Sequence, residues 1–203
     1  MKSCLKISAF TLVELLVSIS VLAMIAAISV SSYPKFSEQM GVSAESYKLL
    51  AYMREAQVYG SSGYTDPGVK VVSGLEIDRD TNTIKKVQWQ NPNSTTNQNY
   101  VNNKVDTGDV VQNIGERFEI EKMCNMVGIV SSCDNNENYD KVFVFFKRPN
   151  PEARLLGQVG TILYPDQNGT TGLKKIEVHI RSKQNTQFIK KIVILQTGQM
   201  YVE

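Results

Sequence analysis

The sequence predicts an α+β fold: one long N-terminal helix, half membrane-spanning and half amphipathic, packed on an antiparallel β-sheet domain. Three observations predict it. The apolar residues are concentrated at the start, where Glu14 is the only charged residue between Phe10 and Tyr33. Behind that run, apolar residues recur at spacings of three and four as far as Gly60, which is the period of a helix. Beyond Gly60 the period falls to two, as in a strand with one buried face.

Composition excludes several classes before any motif is considered. The 203 residues hold 22 Lys+Arg against 20 Asp+Glu, which rules out a strongly basic histone-like binder and an acidic disordered tail. His179 is the single histidine, and the cysteines are Cys4, Cys124 and Cys133. A site that needs two histidines is therefore impossible, which excludes most zinc hydrolases. The sequence shows no Ser-His-Asp order, nucleophile elbow or Gly-rich phosphate loop. It reads as a non-enzyme with no cofactor.

The first element is a membrane-spanning helix. Met1 to Ala9 carries Lys2 and Lys6 and no acid, and Leu15 to Val30 carries no charge at all. About 20 residues of helix, at about 1.5 Å each, cross the hydrocarbon core. Basic residues ahead of the run favour a cytoplasmic N-terminus, with the rest of the chain outside. A secretory signal would have a shorter apolar region and a small-residue cleavage site after it. A simple signal anchor would fit the run, but it does not explain Glu14. A carboxylate inside lipid is costly unless it finds a partner, so Glu14 is a functional candidate.

Ala9-Phe10-Thr11-Leu12-Val13-Glu14-Leu15-Leu16-Val17 resembles the prepilin cleavage and methylation motif of type IV pilins and type II secretion pseudopilins. The resemblance implies a cut between Ala9 and Phe10 on the cytoplasmic side, N-methylation of Phe10, and retention of the apolar helix. It also implies that Glu14 pairs with the N-terminal amine of a neighbouring subunit. Ala9 stands where the family most often has Gly, and its small side chain remains compatible with a tight peptidase site. The implied partners are other pilin or pseudopilin subunits, the prepilin peptidase, an inner-membrane assembly platform and, before assembly, membrane lipid.

On this resemblance the chain divides into a leader (1–9), a filament-core helix (10–33), an amphipathic extension (34–60) and a β-rich pilin head (61–203). It would sit once across the inner membrane and then enter a periplasmic or extracellular filament. Loss of Lys2 and Lys6 from the 22 basic residues leaves 20 against 20 acidic ones. Loss of Cys4 leaves Cys124 and Cys133 as an even pair.

The amphipathic helix begins at Pro34, whose missing N–H should bend the helix rather than end it. Phe36, Met40, Tyr47, Leu50 and Val58, with Ala44 and Ala51 on the same side, read as the stripe that packs on the following domain. Gly41 is a soft spot, and Gly60 a helix stop. Strands are expected at Val69–Ile77 and Thr83–Trp89, joined by the turn Asp78-Arg79-Asp80-Thr81-Asn82. The polar stretch Asn91–Asn103 reads as a loop. Further strands are expected at Arg117–Glu121, Met126–Val130, Lys141–Lys147, Thr161–Tyr164, Leu173–Arg181, Phe188–Leu195 and Gln199–Val202. In Lys175–Arg181, Ile176, Val178 and Ile180 alternate with Glu177 and His179, which predicts a sheet with one wet face.

A second resemblance is more scattered. Arg54-Glu55-Ala56-Gln57, Phe145-Phe146-Lys147-Arg148-Pro149 and Gln196-Thr197-Gly198-Gln199-Met200 are similar to H-type minor pseudopilins and FimT-like minor pilins, which implies a minor subunit.

Other constellations are weaker. Cys124 and Cys133 are nine apart and fit either a disulfide in an exported domain or two free thiols. Asp134-Asn135-Asn136-Glu137-Asn138 begins like a calcium loop, but Tyr139 and Phe145 stand where an EF-hand needs Gly and Glu. Two sulfurs and a distant His179 do not make a metal site. Lys174, Lys175, Arg181, Lys183, Lys190 and Lys191 give the C-terminal strands a basic character that could hold nucleic acid phosphates. FimT-like minor pilins are associated with DNA uptake. Such residues also serve simply to solvate and protect exposed strands.

Overall fold

The computed structural model describes residues 11–62, 72–89, 96, 104–127, 130–131, 138–146, 152–165 and 173–203. One helix is followed by antiparallel strands, an α+β arrangement. Helix α1 runs from Leu12 to Ser62 and contains Pro34. The chain forms two compact units that divide within this helix, between Gln39 and Met40.

The second unit contains two sheets. The first is built from β1 (Val72–Asp78), β2 (Thr83–Trp89), β3 (Lys104–Asn113), β6 (Lys141–Phe146), β7 (Ala153–Val159) and β8 (Ile162–Tyr164), in the order β3-β2-β1-β6-β7-β8. The second contains β4 (Phe118–Val127), β5 (Val130–Ser131), β9 (Lys175–Ser182), β10 (Ile189–Leu195) and β11 (Met200–Val202), in the order β11-β10-β9-β4-β5. Every strand pair is antiparallel.

The hairpin read from its turn forms with Asp78 opposite Thr83. Asp78 Oδ1 accepts a hydrogen bond from the Thr81 amide at 3.1 Å, the local bond that makes Asp a turn residue. Asn82 takes a left-handed φ of 52°, which Asn tolerates better than most side chains. Its Oδ1 accepts from the Ile120 amide at 2.8 Å, and its carbonyl accepts from the Ile114 amide at 3.0 Å. The turn of the first sheet is thereby tied to the start of β4 in the second.

Strands β3 and β7 were not anticipated. In β3 the run Val105-Asp106-Thr107-Gly108-Asp109 breaks alternation with a glycine and two acids, and its pairing with β2 carries register shifts. Strand β7 is a short, mostly buried run behind a Pro-rich stretch, without the alternation that marks a half-exposed strand. The expected Met126–Val130 strand is instead the junction of β4 and β5, where Val127 pairs with Val130.

One core joins the second half of α1 to both sheets. Val42, Leu49, Met53 and Ala56 pack with Leu75, Ile77 and Val144 of the first sheet and Val178, Ile180 and Ile192 of the second. The opposite face of the first sheet is also apolar, with Phe143 and Phe145 stacked at 6.2 Å among Val72, Val87, Leu156 and Leu163.

Two expectations for the helix need correction. Phe36, Met40, Tyr47 and Val58 are 55–62% exposed, and Ala44 and Ala51 are exposed as well. Of that stripe only Leu50 is buried. The helix carries apolar residues on two sides, and periodicity alone cannot say which side meets the sheets. Gly60 lies inside the helix rather than at its stop. A Cβ there would stand 2.7 Å from the Phe146 carbonyl oxygen, so Gly60 serves a close helix–strand approach that any larger residue would push apart.

Candidate functional site

The N-terminal part of α1 is the first candidate. Thr11 caps the helix: its Oγ1 accepts from the Glu14 amide at 3.2 Å, and its carbonyl accepts from the Leu15 amide at 3.2 Å. Thr11-Leu12-Val13-Glu14 thus has the spacing of a capping box. Glu14 sits in the first turn, where unpaired amides and the helix dipole favour a negative charge. The sequence contained this signal, since a threonine three residues before a glutamate starts many helices.

Beyond Glu14 the helix is apolar on every side. Leu12, Val13, Leu15, Leu16, Val17, Ile19, Leu22, Met24, Ile25, Ile28 and Val30 are each at least half exposed. A helix apolar all round belongs in lipid or at the centre of a bundle. The segment Leu12–Ser61 is long and apolar enough to cross a membrane. Three of its hydroxyls are satisfied within the helix. Ser18, Ser20 and Ser29 donate to the carbonyls of Glu14, Leu16 and Ile25 at 2.7, 2.8 and 2.9 Å. That local bonding lets serine sit where no water is available. Ala9 and Phe10 lie outside the described residues, and Pro34 is an exposed residue inside the helix.

The basic C-terminal residues form the second candidate. Lys174 and Lys183 bracket β9 at its two ends, about 30 Å apart at 3.3 Å per residue. Lys190 and Lys191 are neighbours on β10. Lys175 pairs with Glu177 at 3.1 Å, and Arg181 pairs with Glu119 at 2.6 Å and Glu121 at 3.2 Å. The six are thus spread along two strands, and two of them are engaged by carboxylates. A cleft of about 500 Å³ beside them mixes Lys122, Lys190 and Lys191 with Glu121 and Glu203, which gives no single sign of charge to a phosphate chain.

The predicted wet face of β9 is not wet. Glu177 and His179 are 4% exposed and lie 3.2 Å apart. Burial is the largest influence on His179 and lowers its pKa below the usual value, against the opposing pull of Glu177. Burial would raise Glu177, but hydrogen bonds from Lys175 and His179 outweigh it and hold the carboxyl below its usual range. These are polar residues buried as a hydrogen-bonded set, which alternation cannot distinguish from exposed ones.

A similar set holds the Asp78 turn. Lys141 Nζ lies 2.8 Å from Asp78 and 3.2 Å from Glu76, and both carboxylates are buried. The hydrogen bond with Asp78 is the main reason that the Lys141 pKa is raised.

Cys124 is fully buried and disulfide-bonded. Cys133 and the Asp134–Glu137 part of the calcium-like loop lie outside the described residues. Asn138 accepts from the Met123 amide through Oδ1 at 2.9 Å. Among the described residues, no group of three His, Cys, Asp or Glu could hold a metal ion.

Neither the curated proteins nor the solved structures contain a match to this chain. One family model does match: the prokaryotic N-terminal methylation motif, at residues 5–30. The matched stretch contains the Thr11 cap, Glu14 and the apolar part of α1. A methylation motif that runs into an apolar helix suits a membrane-anchored precursor. The matched motif and the helix that follows it support the type IV pilin and pseudopilin family for this chain.

Proposed function

We propose that this chain is a minor pilin or pseudopilin subunit, cut between Ala9 and Phe10, N-methylated on Phe10, and assembled into a type IV pilus or type II secretion pseudopilus. The observation that carries this reading is the single carboxylate in the capped first turn of α1, on a stretch, Leu12–Val30, that is otherwise exposed and uncharged. Such a helix can be stored in lipid. Once several lie together, Glu14 offers the only side-chain charge between Leu12 and Val30. The amine released at Phe10 is created at nearly the same depth and is the natural partner, because a charge away from water needs one.

Prepilin peptidase would then release the amine, and an inner-membrane platform would draw subunits into the filament. The H-type character finds support in Gln57, which reaches the Gly198 carbonyl. Two of the segments behind that resemblance therefore touch. A disulfide between Cys124 and Cys133 belongs to the same proposal and suits a head domain exported to an oxidising compartment.

The test is intact mass and N-terminal sequencing of the protein recovered from sheared filaments or membranes. A methylated Phe10 at the N-terminus is expected. Retention of Met1 in assembled material overturns the reading.

A further inference from the structure

We propose that the cleft on the second sheet binds a small hydroxylated carboxylate of the uronic acid kind. Lys122 and Lys191 hold its acid group, and Glu121 accepts from one of its hydroxyls. The inference stands on the cleft alone and goes beyond the filament-subunit reading, which gives this face no role.

His179 forms the floor, since it lines the cleft and yet is only 4% exposed. It alternates along β9 with Val178 and Ile180, which belong to the core, and so faces away from that core. Lys122 of β4 stands directly opposite it on one side and Lys191 of β10 on the other. Directly opposed residues lie about 5 Å apart at Cβ. Two ammonium groups on long stems can therefore close on one anion above the imidazole. Glu203 exchanges backbone hydrogen bonds with Lys191 at 3.1 and 2.8 Å, which ends the row with an acid.

The β4 end of the row carries an irregularity. Ile120 pairs with Ile180 and Lys122 with His179, so Glu121 is an extra residue with no counterpart on β9. Neighbours on a regular strand point to opposite faces. The bulge changes that, and Glu121 and Lys122 line the same cleft. Glu121 Oε1 accepts from Arg181 at 3.2 Å, whereas Oε2 is buried and has no hydrogen-bond partner. A buried carboxylate oxygen without a donor is costly, so the cleft offers an acceptor that a ligand hydroxyl satisfies.

The charges select the ligand. Three lysines and two glutamates line the cleft, and their surplus of one positive charge suits a single carboxylate better than a phosphate dianion. Acids at both ends of the row repel a longer polyanion, so a nucleic acid strand does not fit. Ile189, 39% exposed, supplies an apolar wall for the carbon atoms. A volume of about 500 Å³ is of the size that takes a small molecule.

The test uses the full chain in detergent micelles with isotope-labelled histidine. His179 is the single histidine, so one imidazole resonance reports on the cleft. Glucuronate, glucose and inorganic phosphate are each titrated at constant pH and ionic strength. Glucuronate should shift the resonance saturably, glucose should leave it in place, and phosphate should bind about tenfold more weakly. Lys122→Gln and Lys191→Gln should each weaken glucuronate about tenfold, the loss of one charge-assisted hydrogen bond. Lys48→Gln, on α1, should leave the affinity unchanged. Thermal melts identify which cleft variant keeps the parent's stability, and that variant is the one read. Parental glucuronate affinity in that variant overturns the proposal, as does a resonance that glucuronate never moves. Equal response to glucose, or tighter binding of phosphate or an oligonucleotide, overturns it as well.

Discussion

Gln57 on α1 donates through Nε2 to the carbonyl of Gly198, 3.1 Å away and 141 positions later in the chain. The contact pins the turn between β10 and β11 to the helix. Gly198 sits in that turn with φ at 84°, and its amide donates to Leu195 at 2.9 Å. Gly198→Ala should destabilise the head by about 1–2 kcal/mol, since a Cβ disfavours this backbone region. Gln57→Ala should cost about 1 kcal/mol through the lost hydrogen bond. Urea melts of the two variants check the order, and an undiminished midpoint for Gly198→Ala would contradict the assigned turn.

Glu14 is expected to separate membrane insertion from assembly. Glu14→Leu should insert as well as the parent or better, because an apolar side chain is favoured in lipid. It should enter filaments poorly, having lost the attraction to a neighbouring Phe10 amine. Glu14→Asp should be milder, limited by its shorter reach. Subunit counts in sheared filaments, set against membrane levels from fractionation, decide this. Wild-type incorporation of Glu14→Leu would refute the pairing.

The fragment 33–203 should be soluble, β-rich by circular dichroism, and melt cooperatively, because the buried residues of the core begin at Val42. Its stability should fall with acid in two stages. The folded pKa of His179 is depressed below the ordinary 6.5, so the unfolded chain binds the proton more readily. Stability is lost as pH falls through that ordinary value. Glu177 is also depressed, from 4.5. Its contribution is present above that value and lost as pH falls toward the folded pKa. A pH series of thermal melts measures both stages. His179→Asn should remove the one near neutrality, and an unchanged profile in that variant would rule out the assignment.

Cys124 should resist alkylation in the native exported domain and become reactive only after reduction. Peptide mapping should find it joined to Cys133. Removing the bridge, whose proposed ends are nine positions apart, should cost about 2–3 kcal/mol. Labelling of both thiols without reductant would exclude this pairing.

What the sequence revealed and what it hid have physical causes. The helix was legible because a long uncharged run and a 3.6-residue period leave few alternatives. The β1–β2 hairpin was legible because Asp78 and Asn82 are turn formers by their own side-chain bonding. The side of α1 that meets the sheets was not legible, because Met40 and Tyr47 are as apolar as Leu49 and Met53. Glu177 and His179 misled for a related reason. Polarity marks exposure only when no partner is present, and each of these residues has the other within 3.2 Å. At the candidate site Glu14 stood out against a greasy background, while the Thr11 cap was overlooked in that same background.

The serines of α1 carry a consequence for how such a helix changes surroundings. Ser18, Ser20 and Ser29 return their hydroxyl hydrogens to the helix's own carbonyls. For these three side chains, passage from acyl chains into a protein bundle would break no hydrogen bond outside the helix. To the remainder of the segment the two solvents are nearly the same liquid, so the step is close to level in either direction. On the proposed filament reading, a subunit built this way would be returnable. On that reading, direction would come from the Glu14 carboxylate, the one charged side chain of Leu12–Val30, and from an assembly machine that works on the head. A single added charge elsewhere in Leu15–Val30 would tilt the step and trap the chain on one side of it.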